Sequence, residues 1–255
     1  MRGELVDWYS CDLHVHTALS PCASEEMTPA AILLEAMERG LDVIGICDHN
    51  SARNLEAIVA LSPAAGIKVF CGMEVQTQEE VHVLCFFHTV REALDFQDVV
   101  YSRLPKKKNV REYFGSQLVF DHNGELVGEE EQLLLTSVSA DLKTVCDEVA
   151  KRGGMAIPSH VDRMAFGLLG VLGMIPDGLS VSALEISRTL TPEEAKTRWK
   201  DISRFSLITS SDAHCLGDIG AARVQALMNH PSLSEFRLAL MGIEGRKVVI
   251  PGRGL

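Results

Sequence analysis

Short apolar runs punctuate most of the chain, and between them apolar residues recur at helical spacing. The runs at 10–16, 42–47, 67–75, 81–87, 155–159, 183–187 and 206–210 read as strands. Between the first two, TPAAILLEAMERGLD predicts a helix with Thr28 as N-cap, Pro29 at the first helical position and Gly40 at its end. Its residues Ala30, Leu33, Leu34, Met37 and Leu41 are expected to form one buried face. Further helices are predicted at 52–61, 91–107, 141–152, 192–203 and 232–242. Strand, helix and strand in that order imply a right-handed parallel crossover. Repeated along the chain, the alternation points to a barrel or an open doubly wound sheet, and periodicity does not choose between them.

One region departs from the alternation. From Gly115 the chain reads GSQLVFDHNGELVGEEEQLLL, where Asn123-Gly124 between apolar runs signals a hairpin turn. Residues 91–140 are therefore expected as a helix-and-hairpin excursion from the main architecture, a candidate cap over the site. The charge runs Lys106–Lys108 and Glu129–Glu131 read as solvated faces.

Composition narrows the picture. A chain of 255 residues suits a single barrel domain, and with 46% hydrophobic but only 5% aromatic residues its core is expected to be aliphatic. The net charge of −11 argues against membrane association and against stable nucleic-acid binding, both of which gain affinity from basic surfaces. Two or three bound divalent ions would still draw an anionic substrate into such a protein. The seven cysteines show no CxxC spacing, several lie in apolar runs, and MRGELVDW has no apolar h-region, so a cytoplasmic location is expected. No apolar stretch is long enough to span a membrane.

The candidate chemistry sits where apolar runs give way to polar loops. In CDLHVHT, strand alternation turns His14 and His16 to one face, which suits a metal ion but also arises by chance with His16 as a rim residue. ICDHN adds Asp48 and His49, GMEV adds Glu74, EEVHVL adds His82, IPSHVDR adds His160, and ITSSDAH adds Asp212 and His214. In a parallel barrel the strand ends meet on one face. Buried imidazoles and carboxylates gathered there without basic compensation need cations, and Zn, Mn or Fe suit these donors.

Taken in order, DLHVHT, ICDHN, GMEV with His82, PSH and SDAH closely resemble the successive motifs of the PHP family, named for polymerase and histidinol phosphatase domains. The resemblance implies an α/β fold, a distorted (β/α)7 TIM-like barrel, with a di- or trinuclear metal centre that hydrolyses phosphate esters by metal-activated hydroxide. It implies that His14, His16, Glu74 and Asp212 hold the first metal, that Glu74 bridges to a second completed by His82 and His160, and that His49 and His214 serve a third. Cys22 stands where some relatives have a histidine, and it reads either as a third-site ligand or as a thiol beside a half-formed site. His49, His214 and Asp212 are the candidate catalytic residues, with His214 or His49 donating a proton to the leaving oxygen if the third metal is absent.

Asp12 and Asp48 each neighbour a histidine and are expected to hold an imidazole's second nitrogen. Glu185 reads equally as site support or as a structural ion pair. Arg163 is expected to clamp substrate phosphate, whereas Arg188 reads as an ordinary surface arginine. His88, His122 and His230 are expected outside the site. The expected partner is a small phosphorylated metabolite, with a nucleotide as the leading candidate; the sequence leaves oligomeric state open. Two other readings remain: an amidohydrolase-type metal hydrolase, which also opens with HxH, and a non-catalytic metal-binding module.

Overall fold

The computed structural model describes residues 6–252. Strand β1 (Asp7–Val15) leads through helix α1 (Pro29–Glu38) to β2 (Val43–Ile46), and through α2 (Leu55–Ala65) to β3 (Lys68–Gln76). These three strands run parallel, as the crossover pattern requires. Thr28 caps α1 by accepting the Ala31 amide, and Gly40 follows its end with φ of +64°. The second helix lies further along than predicted, because Gly66 at φ +67° and not Leu61 supplies its left-handed stop.

Strand β4 (His82–Phe87) folds back antiparallel on β3 through the turn after Thr77, whose amide reaches the Val81 carbonyl at 2.9 Å. Helix α3 (Val90–Arg103) stops four residues short of its predicted end; Leu104 turns extended one residue ahead of Pro105. The excursion continues through the single turn α4 (Arg111–Phe114) and the hairpin of β5 (Leu118–Phe120) and β6 (Leu126–Glu129). Its turn is organised by the Asp121 carboxylate, which accepts the Asn123 and Glu125 amides, with Gly124 at φ +80°. Buried asparagines tie the excursion down: Asn50 donates to the carbonyls of Leu134 and Thr136, and Asn54 brackets β5 at Leu118 and Phe120.

After α5 (Leu142–Lys151), β7 (Met155–Pro158) pairs antiparallel with β4. Helix α6 (Leu168–Leu172), β8 (Leu184–Glu185), α7 (Pro192–Arg198), β9 (Leu207–Ile208), β10 (Val224–Met228), α8 (Leu233–Met241) and β11 (Lys247–Val249) complete the described chain. The result is an α/β fold around a curled, mixed seven-stranded sheet of order β11-β10-β1-β2-β3-β4-β7, and not a ring of uniformly parallel strands. Strands β10 and β11, which the apolar pattern did not reveal, extend the sheet antiparallel beyond β1. The predicted strands at 183–187 and 206–210 shrink to the two-residue pair β8 and β9. This pair meets the β7 side through Ser182 N to the Ala156 carbonyl (3.0 Å) and Val161 N to the Glu185 carbonyl (2.8 Å). Beyond β9, Ala213 bridges to Val15 at the end of β1.

Two consequences of this topology position the site. Because β4 runs against its neighbours, its first residue, His82, lies at the same sheet edge as the carboxyl ends of β1, β2, β3 and β7. The β1–β2 register also slips by one residue between Asp12 and Val15. Before the slip, Cys11 and Leu13 pack with Phe70, Leu84, Phe86 and Ile157 on one face of the sheet; after it, Val15 packs with the helix-side core. The bulge turns His14 and His16, instead of Val15, toward the face that carries Glu74. Among the described residues no helix is long and apolar enough to cross a membrane.

Candidate metal centre

Glu74 is the hub. Along β3, Phe70, Gly72 and Glu74 alternate onto one face, so the strand passes from apolar packing to a fully buried carboxylate. Five imidazoles surround it: His14 Nε2 at 3.3 Å, His82 Nδ1 at 3.1 Å and His160 Nε2 at 3.2 Å from Oε1, and His16 Nε2 at 3.6 Å and His49 Nδ1 at 3.2 Å from Oε2. The Ser159 hydroxyl donates to Oε1 at 2.7 Å. Asp212 enters from the far end of the chain, with Oδ1 at 3.3 Å from His14 Nε2 and 3.4 Å from His16 Nε2. His214 stacks on His16 with ring centroids 4.1 Å apart, and its Nδ1 donates to the Asp212 carbonyl at 2.9 Å. Asn50, His160 and Asp212 all sit at positive φ, so the segments leaving the sheet are bent sharply at the site.

Burial and mutual charge set the protonation states. Burial opposes ionisation of Glu74, but His82 and His14 outweigh it and hold the carboxyl well below its ordinary range. Burial likewise disfavours charge on His14, yet Asp212, Glu74 and Glu185 raise its pKa well above the usual imidazole value. His16 moves the other way, to about 4, through burial and the neighbouring His214; His49 is also lowered, by burial and by His16. The cluster thus combines strongly acidic carboxyls with two imidazoles, His16 and His49, that are kept neutral and present lone pairs, while the acids around His14 favour its protonated form.

These donors fit metal ions. Donors bonded to one zinc ion at about 2.0–2.1 Å stand about 3.3 Å apart at the corners of a tetrahedron. His14 Nε2 and His16 Nε2 are 3.2 Å apart, and their distances to Glu74 and Asp212, 3.3–3.6 Å, lie at or a little above that spacing. Glu74 Oε2, His49 Nδ1, His82 Nε2 and His160 Nδ1 are buried without a hydrogen-bond partner, a costly arrangement that cations would relieve. Three close donor sets emerge among the described residues: His14, His16 and Glu74; His49, Glu74 and His82; and His16, His49 and His214. Cys22 belongs to none of them; it lines the adjoining cavity, and burial followed by the Glu74 charge pushes its thiol up to about 12.

The supporting residues differ in part from those expected. His14 Nδ1 is held by Glu185 at 3.0 Å, an acid that also accepts the His160 amide. Asp48 reaches His16 through Ser20, whose hydroxyl bonds Asp48 at 2.7 Å and His16 Nδ1 at 2.9 Å. Asp12 does not take an imidazole nitrogen. It accepts the Ser211 and Gly220 amides and anchors the loop that delivers Asp212, while burial, partly offset by those amides, raises its pKa to about 6. Arg163 lies at the cavity and donates to Asp212 Oδ2 at 2.6 Å; Arg188 pairs with Asp218. The cavity, of about 440 Å³, is also lined by Leu135, Ala165 and Phe166.

A family model described as the PHP domain matches residues 12–156, more than half of the chain. The chain belongs to the PHP domain family. The uncharacterised protein YqxK of Bacillus subtilis is 25% identical over 269 residues, covering 93% of this chain and 63% of YqxK. The lesion-specific endonuclease PfuEndoQ of Pyrococcus furiosus shares the fold with a TM-score of 0.75 at 19% identity, over 95% of this chain and 58% of that one. An Endonuclease Q complex with a 27-mer duplex bearing an abasic lesion at its active site gives 0.67 at 17% identity, over 94% and 58%. This PHP chain thus spans less than two thirds of the length of each of these relatives. The family match ends inside β7, so His160, Glu185, Asp212 and His214 join this PHP site by folding back onto the matched part.

Proposed function

We propose that this chain is a metal-dependent phosphoesterase acting on a small phosphorylated metabolite. The observation that carries the reading is the single buried carboxylate of Glu74 within 3.1–3.6 Å of five imidazole nitrogens. His14, His16, Glu74 and Asp212 would hold one divalent ion, Glu74, His82 and His160 a second, and His49 with His214 a third. When bound, such ions polarise a phosphoryl oxygen and make water nucleophilic near neutral pH.

The chain's own side chains supply the rest. Arg163 stands at the cavity with one guanidinium nitrogen on Asp212, leaving other donors of its planar fork for phosphoryl oxygens. Without the third ion, His214 or His49 is free to give a proton to the leaving oxygen, and exposure favours His214, whose side chain is 30% exposed against 6% for His49. The oxygen of a water that has given one proton to solvent would join phosphorus as the bond to the leaving oxygen breaks; with the third ion absent, His214 would give that oxygen its proton and recover one from solvent.

A small substrate is supported by the cavity's size, within the range of small-molecule sites, and by the net charge of −11, which disfavours long polyanions. Leu135 brings the 91–140 excursion to the cavity wall, which supports its reading as a cap on a single barrel-like domain. Free thiols throughout the described chain suit a reducing cytoplasm. The test is phosphate release from nucleotides and sugar phosphates by protein loaded with zinc or manganese, alongside amides and lactones. The His16→Ala variant should lose phosphate release while keeping the native circular dichroism spectrum. Full activity in that variant, or turnover of amides alone, refutes the assignment.

A further inference from the structure

The loop after β7 holds an aromatic ring at the mouth of the centre. It turns tightly, with Arg163 N donating to the His160 carbonyl at 2.9 Å. Two glycines make room for it: a Cβ on Gly167 would lie 2.3 Å from the Arg163 carbonyl oxygen, and one on Gly170 would lie 2.1 Å from the same atom. Within this turn Phe166 adopts φ of +61°, a conformation costly for a bulky side chain. Its carbonyl accepts the His82 amide at 3.0 Å, and its ring stacks on the His82 imidazole with centroids 4.6 Å apart and planes inclined by 21°.

Core packing does not account for this ring. Phe166 remains 40% exposed, and Met164 beside it is 79% exposed. Phe166 lines the same cavity as Glu74 and Asp212, and Ala165 and Leu135 extend its apolar wall. An aromatic face fixed beside an ion-binding cluster suits a ligand that is flat and apolar at one end and anionic at the other.

We propose that Phe166 is a specificity-determining residue that stacks the base of a nucleotide unit whose phosphate enters the metal centre. This rests on the phosphoesterase reading and deepens it by naming the leaving group's chemical class. Aromatic faces take any base, so the preference is for a nucleobase over an aliphatic group and not for one base over another. The nucleotide unit is either free or at the end of a strand, and the charge of −11 favours the free form.

The experiment compares kcat/KM of the manganese-loaded protein on adenosine monophosphate, on glycerol phosphate and on a short single-stranded oligonucleotide with a terminal phosphate. The wild type should prefer adenosine monophosphate over glycerol phosphate by about tenfold or more. Phe166→Leu should collapse that ratio and Phe166→Trp should retain it. The ratio between mononucleotide and oligonucleotide identifies the source of the unit. A wild-type ratio near one, or a Leu variant that slows both small substrates by the same factor, overturns the proposal without touching the phosphoesterase reading. Calorimetric titration with the same two small ligands separates the reverse case. Base-dependent binding that needs Phe166, with no phosphoester cleaved, would sink the hydrolytic reading and leave the stacking role standing.

Discussion

Glu74 and His14 show how the centre depends on single atoms. His14 has one ring nitrogen in the donor cluster and the other on Glu185 at 3.0 Å, so Glu185 fixes both the tautomer and the orientation of the ring. Glu185→Gln should weaken metal affinity by about 10–100-fold, read by competition titration with a chromophoric chelator, while thermal unfolding of the metal-free protein shifts little. An unchanged affinity would reduce Glu185 to an amide acceptor for His160. At this scale the histidines were legible because each stands in a short, recognisable cluster at a strand end. Glu185 was only half legible, since a lone acid in ALEIS carries no local sign of a partner 171 residues away. Asp12 misled for the complementary reason: proximity to His14 in sequence did not specify whether its carboxylate would meet a ring or the amides of a distant loop.

Among the elements, the pairing of β1 with β2 decides which way the HxH motif faces. Gly45 permits the register slip, because a Cβ there would lie 2.4 Å from the Leu13 carbonyl oxygen, within the backbone of the neighbouring strand. Gly45→Ala should therefore cost about 1–3 kcal/mol of stability, measured by urea unfolding, and should impair metal binding as His14 is displaced. Wild-type stability and affinity in that variant would mean that the bulge does not depend on the missing side chain. The ends of helix α1 were readable from Thr28, Pro29 and Gly40 because capping chemistry is local, but its buried face was not: Ile32, Leu33 and Ala36 point inward, while Ala30, Leu34 and Met37 of the expected face are exposed. The bulge was not, since it depends on a glycine in another strand. Nor was the reversal of β4, because a short turn at TQEE differs little in composition from a loop that leads on to a crossover. Strand β11 escaped notice as a brief, largely exposed edge, and in β10 the alternation of buried and half-buried residues is carried by Val224, Ala226 and Met228, two of which are good helix formers.

For the molecule as a whole, a buried cluster of acidic carboxyls and unpartnered nitrogens makes stability depend on cations. A ligand that binds only the native state at a free concentration one hundred times its dissociation constant adds about 2.7 kcal/mol. For a chain of this size, zinc or manganese should raise Tm by roughly 5–10 °C over chelator-treated protein in differential scanning calorimetry. The increment should shrink in His16→Ala, which loses a donor of the first ion and keeps those of the second. A melting temperature indifferent to metal would contradict the fit of the donor set. The α/β class was visible in the alternating pattern, whereas the mixed, curled sheet was not, because periodicity reports which residues are buried and is silent on strand direction.

The reversal of β4 also bears on how the centre comes together during folding. Glu74 and His82 are joined by a tight hairpin, whereas His14 must wait for Asp212 across nearly two hundred residues of chain. Closing the short loop sacrifices far less chain freedom than closing the long one. The β3–β4 hairpin thus brings its carboxylate and imidazole together at little cost in chain freedom, whereas the half of the centre that requires Asp212 gives up more of that freedom on closing and regains more on opening.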